Sequence, residues 1–157
     1  MEKIASFTVD HLRLLPGVYV SRKDHAGSEV LTTFDIRMTR PNFEPVMNTA
    51  EIHAIEHLGA TFLRNHPEYK DKTVYFGPMG CQTGFYLLVN DTPKEQVLET
   101  IELVLHQILK HTGEVFGAHR KECGNYRNLN LEAAQLECGR YLRVLEESKP
   151  ISFEYDQ

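Results

Sequence analysis

The stretch Ser28-Glu29-Val30-Leu31-Thr32-Thr33-Phe34-Asp35-Ile36-Arg37-Met38-Thr39 and, after a break, Asn48-Thr49-Ala50-Glu51-Ile52-His53-Ala54-Ile55-Glu56-His57-Leu58 decide how this chain folds. The first run alternates at period two. Val30, Thr32, Phe34, Ile36 and Met38 fall on one face, and Glu29, Leu31, Thr33, Asp35 and Arg37 on the other, as a strand covered on one side requires. Arg40-Pro41-Asn42 and Glu44-Pro45 end it. Asn48 with Glu51 three residues on is a helix start, because each side chain can satisfy the other's free backbone amide. That helix should reach Asn65 and stop before Pro67.

Working outward, residues 4–9 and 18–23 are short extended segments. Residues 73–76 and 82–90 are strands around the turn Gly77-Pro78-Met79-Gly80. Thr92-Pro93-Lys94-Glu95 has the form of a capping box with proline at the first helical position. It opens a helix through His111, closed by Gly113, with Val97, Ile101, Val104, Leu105 and Ile108 as its apolar stripe. A last helix covers 131–147. Helices interspersed with antiparallel strands predict an α+β fold, an antiparallel sheet packed against helices in a single domain over residues 1–157.

Composition sets the outer bounds. A chain of 157 residues with 41% hydrophobic and 25% charged residues can bury one core and is not disordered. The net charge of −5 comes with scattered Lys and Arg, so no basic footprint for nucleic acid exists. No apolar run approaches the ~20 residues of a membrane helix, and the N-terminal MEKIASFTVD has no signal-peptide core. A cytoplasmic location is expected. Three cysteines, an odd number, argue for ligand, nucleophile or core roles rather than a disulfide framework.

His53-Ala54-Ile55-Glu56-His57 carries the chemistry. Residues four apart on a helix share a face with Cβ atoms ~5–6 Å apart, so the two imidazoles can grip one transition-metal ion. Glu56 falls beside them, as a general base or as a carboxylate orienting a ligand histidine. This H-x-x-E-H order is the inverse of the H-E-x-x-H metallopeptidase helix. The alternative is an accidental surface pair in a chain with 8 histidines.

A catalytic ion usually has three protein ligands and one open position, so a third must come from elsewhere. Cys123, in a polar loop ahead of Gly124-Asn125, is either that thiolate or an exposed loop thiol. Cys138 follows helical spacing with Ala134, Tyr141 and Leu145 and belongs to the core. Cys81, between Gly-Pro-Met-Gly and Gln-Thr-Gly, is either a thiol held on a tight turn at a site mouth or a small hydrophobe buried between strands. Arg37 should point away from the core, to clamp a carboxylate or hydroxyls or simply to lie in solvent. Ser6, Phe7 and His11 carry no independent signal.

Taken together these residues resemble S-ribosylhomocysteine lyase, the autoinducer-2 synthase family often called LuxS. The likeness runs through Ser6-Phe7, Asp10-His11, Phe34-Asp35-Ile36-Arg37, Arg40-Pro41-Asn42 and His53-Ala-Ile-Glu56-His57-Leu58. It continues in Pro78-Met79-Gly80-Cys81-Gln82-Thr83-Gly84-Phe85-Tyr86, Glu122-Cys123-Gly124-Asn125 and Leu131-Glu132-Ala133-Ala134. The resemblance implies His53, His57 and Cys123 as ligands of one divalent ion per subunit, ferrous iron with zinc or cobalt able to replace it. It implies Glu56 and Cys81 as proton-transfer groups, and Ser6, Phe7, His11, Arg37 and Gly80 as substrate contacts. Part of these would come from the neighbouring subunit of a homodimer whose sites lie at the interface. The implied activity is carbon–sulfur cleavage of S-ribosylhomocysteine to homocysteine and the autoinducer-2 precursor, within quorum sensing and the activated methyl cycle. Where many members have an acidic residue six positions before the active-site cysteine, this chain has Tyr75. An inverzincin peptidase and a small metal-stabilised interaction domain are the rival readings.

Overall fold

A computed structural model describes residues 1–156. After a 3-10 turn at Ala5–Phe7 come strands β1 (Gly17–Ala26) and β2 (Glu29–Arg37) and helix α1 (Thr49–Asn65). Then follow β3 (Thr73–Pro78), β4 (Gly84–Asn90), α2 (Lys94–Lys110) and α3 (Leu131–Glu147). The strands form one antiparallel sheet in the order β1-β2-β4-β3. The expected α+β architecture is present, with the three helices packed against one another and α1 also against β3.

The alternation in β2 explains which side they cover. Phe34 and Ile36 pair with Leu87 and Phe85 of β4 and are buried, as is Met38 just beyond the strand. They meet Ile55 and Leu58 of α1, Ile101, Leu105 and Ile108 of α2, and Cys138, Tyr141 and Leu145 of α3 in one core. Burying each such side chain contributes about 1.5–3 kcal/mol against the chain's entropy. Tyr141 also donates its hydroxyl to the Gly17 carbonyl at 2.6 Å, so its one polar atom is satisfied inside this core.

Helix α1 begins as its cap dictates. Asn48 Oδ1 accepts from the Glu51 amide at 3.2 Å, and Glu51 Oε1 accepts from the Asn48 amide at 2.9 Å. The expected capping box at α2 is not formed. Thr92 donates backward to the Asn90 carbonyl at 2.8 Å, tightening the turn after Asp91, and Pro93 caps without a side-chain bond. Residues 4–9 are no strand either. Ala5–Phe7 closes 3-10 turns through amide bonds to Ile4 and Ala5, with no neighbouring strand to pair with. The strand expected from 82 starts at Gly84, because Gln82 has a positive φ of 62° and belongs to the turn.

Gly84 sits where two backbones nearly touch. A Cβ there would lie 2.2 Å from the Ile36 carbonyl oxygen and 3.1 Å from Arg37 Cα. Gly84→Ala must push β4 off β2. It is expected to cost about 1–3 kcal/mol of unfolding free energy, read from the urea midpoint. A midpoint equal to wild type would contradict this close approach.

Candidate metal centre

Helix α1 carries His53 and His57 one turn apart, with ring centroids 4.6 Å apart and planes at 90°. Each ring is anchored from the loop over 112–130. His53 Nδ1 lies 2.8 Å from the Asn128 carbonyl oxygen, and His57 Nδ1 lies 2.6 Å from that of Phe116. A carbonyl can only accept, so both Nδ1 atoms carry a proton, which leaves Nε2 as the atom of each ring that can bind a metal. Gly117, at φ 72°, makes the second anchor feasible: a Cβ there would stand 3.1 Å from His57 Nδ1. The loop is fixed in turn, since the Asn130 amide donates to the Ala50 carbonyl at 3.1 Å, at the start of α1.

The same loop delivers Cys123. Its sulfur lies 3.4 Å from His53 Nε2, and the ligand atoms of His53, His57 and Cys123 all lie within 4.8 Å of one another. Among the described residues no other such group of three His, Cys, Asp or Glu side chains forms. The set is compact enough for one ion with bonds of ~2.0–2.3 Å to draw all three donors together. Two imidazoles oriented through Nδ1 and one cysteine sulfur are also the right chemistry for a divalent first-row ion. The residues fit a metal.

Glu56, half-buried on the same helix, lines a shallow depression of about 350 Å³ with Thr49, Ile52, His53, Pro78, Met79, Gly80 and Gln82. Gly80 and Cys81 form the tip of the β3–β4 connection. The Gln82 amide donates to the Met79 carbonyl at 3.0 Å, and Gln82 Nε2 to the Met47 carbonyl at 3.1 Å, which ties the tip to the approach to α1. Cys81 is exposed there. The buried-hydrophobe alternative for this thiol is therefore overturned: glycine neighbours and the positive φ at Gln82 turn it outward rather than between strands.

Arg37 is on the face opposite the main core, as expected, but it is not in solvent. It is 3% exposed. Its Nε and Nη2 donate to the two carboxylate oxygens of Asp35 at 3.1 and 2.7 Å, and Nη1 donates to Thr83 Oγ1 at 2.7 Å. Burial opposes the guanidinium's charge, but Asp35 outweighs it and raises the pKa. Nη1 also faces the Cys81 sulfur at 3.8 Å, and Thr83 Oγ1 is 3.1 Å from that sulfur. The alternation of β2 revealed the face, but not that the C-terminal segment covers it.

Ser6, Phe7 and His11 lie in the N-terminal segment and contribute nothing to the lining of the depression beside His53 and Glu56. Phe7 is 69% exposed, and His11 Nδ1 turns to the Val9 carbonyl at 2.9 Å. Cys138 is buried, as expected, and burial pushes its thiol up to about 12. It should stay protonated and inert at neutral pH. Mass spectrometry after native iodoacetamide treatment is expected to find label on Cys81 but not on Cys138 until urea unfolds the chain. Early labelling of Cys138 would contradict its place in the core.

An antiparallel sheet with helices on one face, bearing two histidines of one helix and a loop cysteine as a candidate metal site, defines a class of small α+β metalloprotein. The particular family follows from comparison with known proteins. A family model for S-ribosylhomocysteinase (LuxS) matches residues 4–151. The S-ribosylhomocysteine lyase of Clostridium beijerinckii is 59% identical over 143 residues, covering 90% of each chain. That of Finegoldia magna is 53% identical over 158 residues, covering 100% of each, and that of Borreliella burgdorferi 46% over 156 residues, covering 99% of each. The chain belongs to the S-ribosylhomocysteinase (LuxS) family.

Proposed function

We propose that this protein is a metal-dependent carbon–sulfur lyase that cleaves S-ribosylhomocysteine to homocysteine and 4,5-dihydroxy-2,3-pentanedione. The observation that carries the reading is the convergence of two Nδ1-anchored imidazoles and the Cys123 sulfur beside Glu56 and the Cys81 turn. His53, His57 and Cys123 would hold the ion, ferrous iron by family likeness, with zinc or cobalt as replacements. When bound, it supplies a Lewis acid for negative charge developing on the sugar oxygens.

The thioether cannot leave from an unactivated carbon, so the sugar carbonyl must first move from carbon 1 to carbon 2 and then to carbon 3. Each move takes a proton from one carbon and returns one to its neighbour, with no net change in composition. Glu56 and Cys81 are the groups to take and return those protons. With the carbonyl at carbon 3, removal of the carbon 4 proton places its electron pair in a carbon 4–carbon 5 double bond. The carbon 5–sulfur bond breaks, the thiolate leaves and takes up a proton, and the enol left behind becomes the dione. Gly80, exposed on the lining of the depression with open space where a side chain would stand, lets the substrate approach the backbone. Arg37 acts through the sulfur it faces, because its Nε and Nη2 are committed to Asp35.

The protein is further read as a cytoplasmic homodimer with its sites at the interface. Ile4, Phe7, Leu12 and Leu15 leave an exposed apolar row on the N-terminal segment, which a second copy would cover. Ser6, Phe7 and His11 would then serve the neighbouring subunit's substrate. Mixing inactive His11→Ala and Cys81→Ala proteins is expected to restore part of the activity through mixed dimers. A mixture that stays inactive in confirmed mixed dimers would count against shared sites. The reaction itself is tested by thiol release: metal-loaded protein should convert S-ribosylhomocysteine to equimolar homocysteine. Cleavage of a peptide panel without thiol release would replace the lyase reading with a peptidase.

A further inference from the structure

We propose that Tyr155, Asp35 and Thr83 are positioning residues that aim the Arg37 guanidinium and hold the Cys81 sulfur, making the C-terminal segment part of the working site. The inference rests on the reading of Cys81 as a proton-transfer group. It starts from a buried ion pair that stability alone does not require. Asp35 and Arg37 are 1% and 3% exposed. Two charges so placed lose their hydration, and apolar residues of similar size often replace such pairs without loss of stability.

What the pair does instead is geometric. Bidentate bonding of Nε and Nη2 to Asp35 fixes the plane of the guanidinium, so that its remaining edge, Nη1, points at Thr83 and Cys81. The Thr83 hydroxyl accepts from Nη1 at 2.7 Å, which leaves its own proton for the Cys81 sulfur 3.1 Å away. The sulfur thus has two donors aimed at it, one cationic: Asp35, which it does not touch, holds the guanidinium, and the guanidinium's Nη1 in turn holds Thr83.

Asp35 is held in turn by the end of the chain. The Tyr155 hydroxyl donates to Asp35 Oδ2 at 2.7 Å, the same oxygen that accepts from Arg37 Nη2. Its ring stacks on Tyr19 at 4.8 Å between centroids, and the segment is pinned where the Val20 amide donates to the Phe153 carbonyl at 2.8 Å. Burial, and then Asp35, push the Tyr155 hydroxyl far above the ordinary tyrosine range, so it remains a donor throughout the working pH range. By drawing on Oδ2 it limits how far Asp35 neutralises the guanidinium. Without it the cation's field at the sulfur weakens and the plane loosens.

Tyr155→Phe removes the hydroxyl and keeps the stacked ring. In the metal-loaded protein it is expected to leave KM and metal content unchanged and to lower the urea midpoint only slightly, as the loss of one hydrogen bond requires. It should lower kcat and the rate of Cys81 alkylation by iodoacetamide at pH 7 by about fivefold, one hydrogen bond's worth. Cys81→Ala serves as the blank. At the other end, Thr83→Val should lower both rates by about tenfold or more, since the lost bond involves a charged partner, and Thr83→Ser should restore them. Wild-type kcat and alkylation in Tyr155→Phe, or in Thr83→Val, would overturn the proposal. The alkylation comparison needs no substrate, so a wild-type protein inactive on S-ribosylhomocysteine would overturn the lyase reading alone.

Discussion

Cys81→Ala and Glu56→Ala should each lower turnover of S-ribosylhomocysteine by ~10²–10⁴, the usual worth of a positioned proton-transfer group. The reaction needs protons taken from and returned to both sides of the sugar, so neither group can stand in fully for the other. Cys81 is exposed at a turn tip, and its removal takes no atoms from the core. Glu56 is half-buried on the rim of the depression and belongs to no core cluster either. Both variants should therefore unfold at the wild-type urea midpoint and still retain metal. The measurement is initial-rate thiol release alongside metal content. Near-normal turnover in both would remove these residues from the mechanism, and lost turnover together with lost metal would reassign the defect to the ligand set.

Cys123→Ala should have the other large effect, and of a different kind. It reduces the donor set from three to two, below what a catalytic ion usually requires. The variant is expected to emerge from gel filtration without stoichiometric metal and without lyase activity. The fold should survive, because His53, His57 and Cys123 all lie outside the apolar core. Its apo unfolding midpoint should match that of the wild-type apoprotein. Only the wild type should gain stability on metal addition, about 2.7 kcal/mol with free metal at a hundred times Kd. Stoichiometric metal in the variant would show that this sulfur is not a ligand.

Much of this architecture was legible in the residue pattern. Period-two alternation in 28–39 marked the face of β2 that meets the helices, and Asn48 with Glu51 marked where α1 begins. The apolar stripe of α2 and the limits of α3 followed from helical spacing. These are local properties, written within a few residues by backbone geometry. The errors were local competitions between bonds. Thr92 preferred the turn behind it to the helix ahead, and residues 4–9 had no neighbouring strand to pair with.

The site divides along the same line. The pairing of His53 with His57, and Glu56 beside them, was determined by the amino-acid order alone, because one helical turn joins them. Their Nδ1 anchors were invisible, since the Asn128 and Phe116 carbonyls belong to the backbone and carry no side-chain signature. Only the tertiary structure brought Cys123 to His53, Thr83 to Arg37, and Tyr155 to Asp35. Such contacts join residues tens of positions apart, and they exist only once the sheet and helices have packed. Helical and strand periodicity can say which way a side chain leaves its own element. What it meets there depends on where a distant loop or tail comes to rest.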